Sequence, residues 1–292
     1  MSYLSLINNV RLNVPLAQMS WMGVGGSASA LFTPCNQSEL ISFIKAHSDH
    51  KMTTIGACSN VLISDAGIDG AVIKLGSDFK SISIADEYIN AGAGALVADV
   101  AKVAFTNSIS GFEFFSNIPG TVGGAISMNA GCYGCSSEDV VEKVDIIDAS
   151  GRLISLHNNE IDFCYRGNAL TGFYVVSNVL FKGKKLNKDL IKSRTMELRQ
   201  KRKSTQPINH KTTGCVFKNP EMQSAWKLID DAGCRGMVFG GAHISKKHCN
   251  FIINNANASA EDIWNLIKKV RAMVKNKTGI FLELEIKLLG NF

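Results

Sequence analysis

The residues of this 292-residue chain best suited to holding a ligand are three stretches of small side chains: Gly23-Val24-Gly25-Gly26, Gly56-Ala57-Cys58-Ser59-Asn60 and Ile118-Pro119-Gly120-Thr121-Val122-Gly123-Gly124-Ala125. Small residues let backbone N–H groups approach a phosphate closely and adopt positive φ, so such loops can cradle a diphosphate. Taken alone, each is more often an ordinary turn in a glycine-rich fold. No such loop ends in Gly-Lys-Ser/Thr, and no strand leads into a full G-x-G-x-x-G that opens a helix. P-loop, kinase and Rossmann chemistries therefore drop out. His47, His50, His157, His210, His243 and His248 form no H-E-x-x-H or other metal spacing. Cys132 and Cys135 make a single C-x-x-C without the second pair a zinc site needs, so no metal is expected.

Charge is the second chemical signal. The chain carries a formal net charge of +6, yet the 182–218 stretch holds 12 Lys/Arg against Asp189 and Glu197 alone, a local net of +10. Such a run is either a solvated helix face or the surface that meets an anionic ligand or nucleic acid. Phe217, near its end, is its only aromatic residue, so base stacking has little support and no nucleic-acid partner is expected.

The elements that must carry these residues follow from local pattern. Asn36 as N-cap, Glu39 three residues later and apolar Leu40, Ile41, Phe43 and Ile44 predict an amphipathic helix over 36–50. Ser259 caps a second helix with Ile263, Leu266, Ile267, Val270 and Val274 at helical spacing. Val144 to Ile147, a turn at 148–151 and Leu153 to Leu156 predict a hairpin, with further strands at 173–181, 250–253 and 280–289. Helix and strand patterns mix without regular βαβ alternation, which favours an α+β fold.

Length and composition set the frame. With 46% hydrophobic and 19% charged residues, 26 Gly and 5 Pro, the chain is neither disordered, collagen-like nor a disulfide miniprotein. At this length two domains are expected. The Lys-rich stretch suggests the division, giving domains at 1–185 and 186–292. Eight Cys without a pairing pattern, and an N-terminus lacking a basic segment followed by an apolar run, predict a cytoplasmic protein with reduced thiols. The most apolar window, 91–105, is broken by Asp99 and Lys102 and is too short to span a bilayer, so no membrane association is expected.

Read in order, six segments are far more specific than any one alone. Thr53–Gly70 (TTIGACSNVLISDAGIDG), Gly111–Gly134 (GFEFFSNIPGTVGGAISMNAGCYG), Tyr165-Arg166, Gly214–Pro220 (GCVFKNP), Gly240–Asn254 (GGAHISKKHCNFIIN) and Leu282–Gly290 (LELEIKLLG) resemble the UDP-N-acetylenolpyruvoylglucosamine reductase family of flavoenzymes. The resemblance runs from about Met19 to Gly290. It implies an FAD-binding domain of the vanillyl-alcohol-oxidase-like (PCMH) type followed by a smaller α+β substrate-binding domain. The implied reaction is the NADPH-linked reduction of UDP-N-acetylglucosamine enolpyruvate to UDP-N-acetylmuramate in peptidoglycan precursor synthesis and cell-wall biogenesis. FAD is held noncovalently, and a monomer is expected.

The resemblance also assigns residues. Gly56, Ala57, Cys58, Ser59, Asn60 and Val61 would wrap the FAD diphosphate. Pro119, Gly120, Thr121, Gly123, Gly124 and Ala125 would lie along the flavin and its phosphates. Arg166 matches the arginine of a Tyr-Arg-x-Ser motif, whose guanidinium can take the substrate carboxylate in bidentate fashion and stabilise the charge that builds there. Glu285 matches the C-terminal catalytic glutamate, and Glu283 would share its strand face. Tyr165, Lys218 and Asn219 are candidate substrate contacts, and Arg202, Gln206 and Lys211 extend the basic segment that would meet the polyanionic substrate and NADPH.

Three positions depart from the family pattern. Cys215 stands where a Ser usually donates the proton to the substrate enolate; a thiol, with a reference pKa of about 8.5, is mostly protonated at neutral pH and is a better acid than a serine hydroxyl. Asn168 replaces the Ser of Tyr-Arg-x-Ser, and Met22 replaces a common Thr. The 49 positions from Arg166 to Cys215 resemble the shorter subclass, which lacks an inserted loop carrying a substrate-covering Tyr. A different FAD-dependent oxidase or dehydrogenase of the same fold is the competing reading. It would predict the N-terminal motifs but not those around Cys215 and Glu285.

Overall fold

The computed structural model describes residues 9–292; the 1–8 stretch, on which the expectation of no leader partly rests, lies outside the described residues. The chain forms two compact units. The first takes the chain up to Arg11 with Ala30–Ala57 and Gly70–Lys201, and the second takes Leu12–Ser29, Cys58–Asp69 and Arg202–Phe292. These units are not the two halves divided at residue 185, because two early segments join the second and the changeover falls between Lys201 and Arg202.

The first unit is built on a five-stranded antiparallel sheet in the order Leu153–His157, Val141–Asp148, Tyr174–Lys182, Tyr88–Gly92, Ile82–Ala85. The expected hairpin is its outer pair, with Ile146 opposite Ile154. Its turn is fixed by Asp148, whose Oδ1 accepts from the N–H groups of Ser150 (2.9 Å) and Arg152 (3.0 Å). The unit's core gathers Phe112, Phe114, Phe115 and Phe181, with Phe112 and Phe181 meeting edge to face at 6.0 Å and 90°. Such rings bury large areas, and each fully buried apolar side chain contributes roughly 1.5–3 kcal/mol. The first predicted helix is Gln37–Ala46, capped by Asn36 Oδ1 accepting from Glu39 N–H at 2.9 Å and burying Leu40, Phe43 and Ile44.

The second unit pairs Val238–Phe239, Ala242–Ile244 and Ile252–Asn254 in an antiparallel sheet and adds the helices Ala225–Asp231 and Ala260–Thr278. The long helix buries the apolar stripe predicted for it. Ser259 and Asp262 form a capping box, Asp65 accepts from the Ala260 and Glu261 N–H groups at 2.9 Å each, and Gly279 at φ 76° closes the other end. A separate parallel pair joins Lys287–Leu289 to Val61–Ile63.

The strand expected over 280–289 forms only at Lys287–Leu289. Upstream of it the backbone turns to other partners: Leu284 makes an isolated bridge with Phe217, Glu285 N–H donates to the Val216 carbonyl at 2.8 Å, and Lys218 N–H to the Glu283 carbonyl at 2.9 Å. Glu283 and Glu285 therefore do not share a regular strand face. The basic stretch is largely the helix Lys188–Thr205, in which only Ile191 is buried, so most of its charge is solvated. Among the described residues no helix is long and apolar enough to cross a membrane.

Candidate active site

In the first unit, two chain segments run together around Thr121. A Cβ on Gly56 would collide with the Thr121 hydroxyl, and Thr121 caps the short helix Val122–Ser127 by accepting from Gly124 N–H at 3.3 Å. Gly123 lies 3.1 Å, at a virtual Cβ, from the Ala93 methyl and donates its N–H to the Ala93 carbonyl at 2.8 Å. Val97 N–H reaches the Gly120 carbonyl at 3.1 Å, and Gly120 holds φ 135°. Gly124, exposed, would bring a side chain near nothing but Thr121 Oγ1. Larger residues would fill this cradle, so the segment fits the close backbone approach an FAD demands.

Arg166 is in the same unit. Tyr165 and Arg166 are the two loop residues of a hairpin between Phe163–Cys164 and Gly167–Asn168. Arg166 occupies the left-handed region at φ 62°, which strains a non-glycine residue by roughly 1–2 kcal/mol, and its guanidinium sits 5.0 Å from the Tyr165 ring centroid. Neighbours over-determine the turn. Asn129, itself buried, donates through Nδ2 to the Cys164 carbonyl at 3.1 Å. Asn168 donates to the Ile126 carbonyl at 3.3 Å and accepts from Leu170 N–H at 3.1 Å and Tyr174 Oη at 3.3 Å. The carboxamide that replaces Ser thus ties the arginine turn to the 122–127 helix, an anchoring role legible only once the fold is known.

In the second unit, Cys58 is buried at φ 52°, and its carbonyl accepts from Trp21 N–H at 3.2 Å. Asn60 donates through Nδ2 to the Glu285 carbonyl at 3.2 Å, and its own carbonyl accepts from Lys287 N–H at 3.0 Å, so the expected diphosphate loop and the glutamate segment are laced together. Ala57 is the last residue of its segment in the first unit, and Cys58 opens the next in the second. Met22 is fully buried in the second unit's core.

Cys215 is half-buried and follows Gly214, which holds φ 80°. It bridges Phe251, and its strand is clamped by Asn250, whose Oδ1 accepts from Phe217 N–H at 2.9 Å while Nδ2 donates to the Phe217 carbonyl at 2.8 Å. Asn250 is a residue sequence reading missed; its place in the Gly240–Asn254 motif was the available signal. Glu285 is brought alongside this strand by the hydrogen bonds to Val216. Burial separates the two acids: the Glu283 side chain is 71% exposed and pairs with Lys218 Nζ at 3.4 Å, while Glu285 is half-buried. Asn219 is exposed, and its Oδ1 accepts from Ala225 N–H at 2.9 Å at the start of a helix.

The second unit also holds a cleft of about 430 Å³ lined by Lys203, Gln206, His210, His243, Lys246 and Lys247 among others. No acid lines it. Burial, then the nearby His210 and Lys246, push the His243 pKa below the usual histidine value. Among the described residues no group of three or more His, Cys, Asp or Glu could hold a metal ion.

Comparison with known proteins matches residues 28–157 to a family described as an FAD binding domain and residues 206–289 to the C-terminal domain of UDP-N-acetylenolpyruvoylglucosamine reductase. The reductase of that name from Wolbachia sp. subsp. Brugia malayi is 43% identical over 283 residues, 96% of each chain, and that of Rickettsia conorii is 42% identical over 276 residues, 94% of each. The crystal structure of the Thermus caldophilus reductase (MurB) superposes with a TM-score of 0.85 at 34% identity, covering 96% of this chain and all of that one. With relatives this similar over nearly its full length, the chain belongs to the UDP-N-acetylenolpyruvoylglucosamine reductase family.

Proposed function

We propose that this protein reduces UDP-N-acetylenolpyruvoylglucosamine to UDP-N-acetylmuramate in peptidoglycan precursor synthesis, with noncovalent FAD and with NADPH as reductant. The observation that carries this reading is the match of one chain both to an FAD-binding domain and, over 206–289, to the reductase's own C-terminal domain. The second match is what a flavoenzyme of other specificity would lack. Along the sequence, residues 1–185 are assigned the cofactor contacts together with Tyr165 and Arg166, and 186–292 the remaining substrate contacts. The enzyme is proposed to act as a cytoplasmic monomer.

FAD held by the chain would supply the two-electron chemistry that couples NADPH oxidation to hydride addition at the methylene carbon of the enolpyruvoyl group. The chain's residues supply the rest. Gly56, Ala57, Cys58, Ser59, Asn60 and Val61 hold the diphosphate, and the 119–125 segment flanks the flavin. Arg166 binds the substrate carboxylate and takes up the negative charge that spreads into it once hydride has added, and Glu285 assists in polarising that carboxylate. Cys215 then gives its proton to the carbon next to the carboxylate and is reprotonated from solvent, so one NADPH and one proton are consumed per product. Tyr165, Lys218 and Asn219 contact the substrate, and the cation-lined cleft of the second unit suits its phosphates.

The test is spectroscopic. The purified protein should show a flavin band that bleaches when NADPH is added without oxygen and returns when UDP-N-acetylenolpyruvoylglucosamine follows. Bleaching without return would reject the proposed substrate, and no flavin even after incubation with FAD would reject the whole reading.

A further inference from the structure

The C-x-x-C motif has no part in that chemistry and, among the described residues, no metal-ligand partners, yet the fold gives it a definite geometry. Gly131–Cys132 pairs antiparallel with Cys135–Ser136, placing Cys135 directly opposite Cys132. The two loop residues, Tyr133 at φ 56° and Gly134 at φ 84°, are both left-handed, as a type I′ turn requires. Gly131 lets the strands close, because a Cβ there would collide with the Cys135 carbonyl. Opposed residues of an antiparallel ladder have Cα atoms about 4.5–5.5 Å apart and side chains on one face, inside the roughly 4.4–6.8 Å that a disulfide spans.

The two thiols are also unequally placed. Cys135 is exposed, whereas Cys132 is half-buried with Sγ 3.6 Å from the Phe114 carbonyl oxygen. One thiol is open to a reagent and the other waits beside it to displace whatever the first captures. The hairpin is rigidly rooted, since Asn129 on one side accepts from Glu138 N–H on the other at 3.1 Å. Burial and the Asp139 and Glu113 carboxylates raise the Cys135 pKa, so the first attack quickens in mildly alkaline solution.

We propose that Cys132 and Cys135 are a redox-active dithiol that closes to an intramolecular disulfide by exchange with a low-molecular-weight disulfide such as oxidised glutathione. The Cys135 thiolate attacks one glutathione sulfur, the S–S bond breaks, and one glutathione leaves as a thiolate. The Cys132 thiolate then attacks Cys135 Sγ and expels the second glutathione. The protein loses two protons and two electrons, and one oxidised glutathione becomes two reduced ones. This inference does not depend on the activity proposed above.

The test exposes the flavin-loaded protein to graded mixtures of reduced and oxidised glutathione, quenches with acid, alkylates the remaining thiols and maps them by peptide mass spectrometry. The peptide bearing both cysteines should lose its two alkylation sites together, carry no glutathione and recover both sites with dithiothreitol. Cys132→Ser should instead retain one glutathione on Cys135. Cys135→Ser, at an exposed position, should leave Cys132 alkylatable and serves if the first variant does not fold. The proposal fails if the wild-type peptide stays doubly alkylated where the exposed Cys35 and Cys164 already carry glutathione, or if glutathione persists on Cys135 in the wild type as it does in Cys132→Ser.

Discussion

The turn that carries Arg166 and the strand that carries Cys215 solve one problem in opposite ways. Both are fixed by asparagine carboxamides bonded to backbone groups. At Cys215 the clamp is buried Asn250, which satisfies both the N–H and the carbonyl of Phe217, and the positive φ beside it falls on Gly214, where it costs little. At Arg166 the chain is bent into the left-handed region at a hairpin tip, and Asn129 and Asn168 hold it from the flanks. Strain of this kind persists only where surroundings over-determine it, and it marks positions kept for what the side chain does. The proposed proton donor is placed by satisfied hydrogen bonds, the proposed carboxylate binder by tolerated strain.

Substitutions can sharpen or break that contrast. The largest expected effect is on turnover: Cys215→Ala should slow flavin reoxidation by the enolpyruvoyl sugar roughly 10²–10⁴-fold while leaving reduction by NADPH intact, and Cys215→Ser should keep most activity. Stopped-flow traces of the two half-reactions decide it, and a fully active alanine variant would remove Cys215 from the mechanism. Next comes stability, where Asn250→Ala strands a buried N–H and carbonyl. A loss of about 2–4 kcal/mol in denaturant unfolding is expected, against about 1 kcal/mol for Asn36→Ala at a helix cap. Arg166→Gly reverses the usual sign. It relieves the left-handed backbone and should unfold no more readily than wild type, with a gain of up to about 1 kcal/mol, yet lose substrate turnover. If it is destabilised instead, the turn is not strained.

The smallest effect concerns the hairpin at Asp148, which lies apart from both segments. Hydrogen bonds from Ser150 and Arg152 hold its carboxyl well below the usual carboxylate range. A depressed native pKa contributes stability that is present above the unfolded value near 4 and lost as pH falls toward the native one. Asp148→Asn should therefore lower stability slightly at neutral pH, leave it almost unchanged once the carboxyl is protonated in both states, and so flatten the acid limb of a stability-against-pH curve.

What was legible in the sequence was local. Asn36 and Ser259 announced their helices because a cap and an apolar stripe lie within a few residues of each other. The 141–157 hairpin was equally plain, since turn residues separate two apolar runs. Arg166, Cys215 and Glu285 were singled out through motif order alone, and their proposed roles rest on the tests above. The strand reading over 280–289 was too long because alternation cannot reveal that residues near Glu285 bond to Val216, far away in sequence. For the same reason Glu283 was expected to share a strand face with Glu285, whereas Glu283 is exposed and pairs with Lys218 while Glu285 is half-buried. Nor could pattern show that Asn168 anchors a turn or that Leu12–Ser29 joins the second unit, because both depend on partners the local sequence does not name.

The pairing of Lys287–Leu289 with Val61–Ile63 joins positions 226 residues apart, and the bond from Asn60 to the Glu285 carbonyl positions 225 apart. During biosynthesis at about 5–20 residues per second, the early strand would wait on the order of ten to forty-five seconds for its mate to leave the ribosome. Until then Leu62, fully buried in the finished molecule, has no finished core to enter. The nascent chain thus carries an unsheltered apolar strand beside the loop proposed for the diphosphate, and a ribosome that stops before Lys287 releases a polypeptide without the partner of Val61–Ile63.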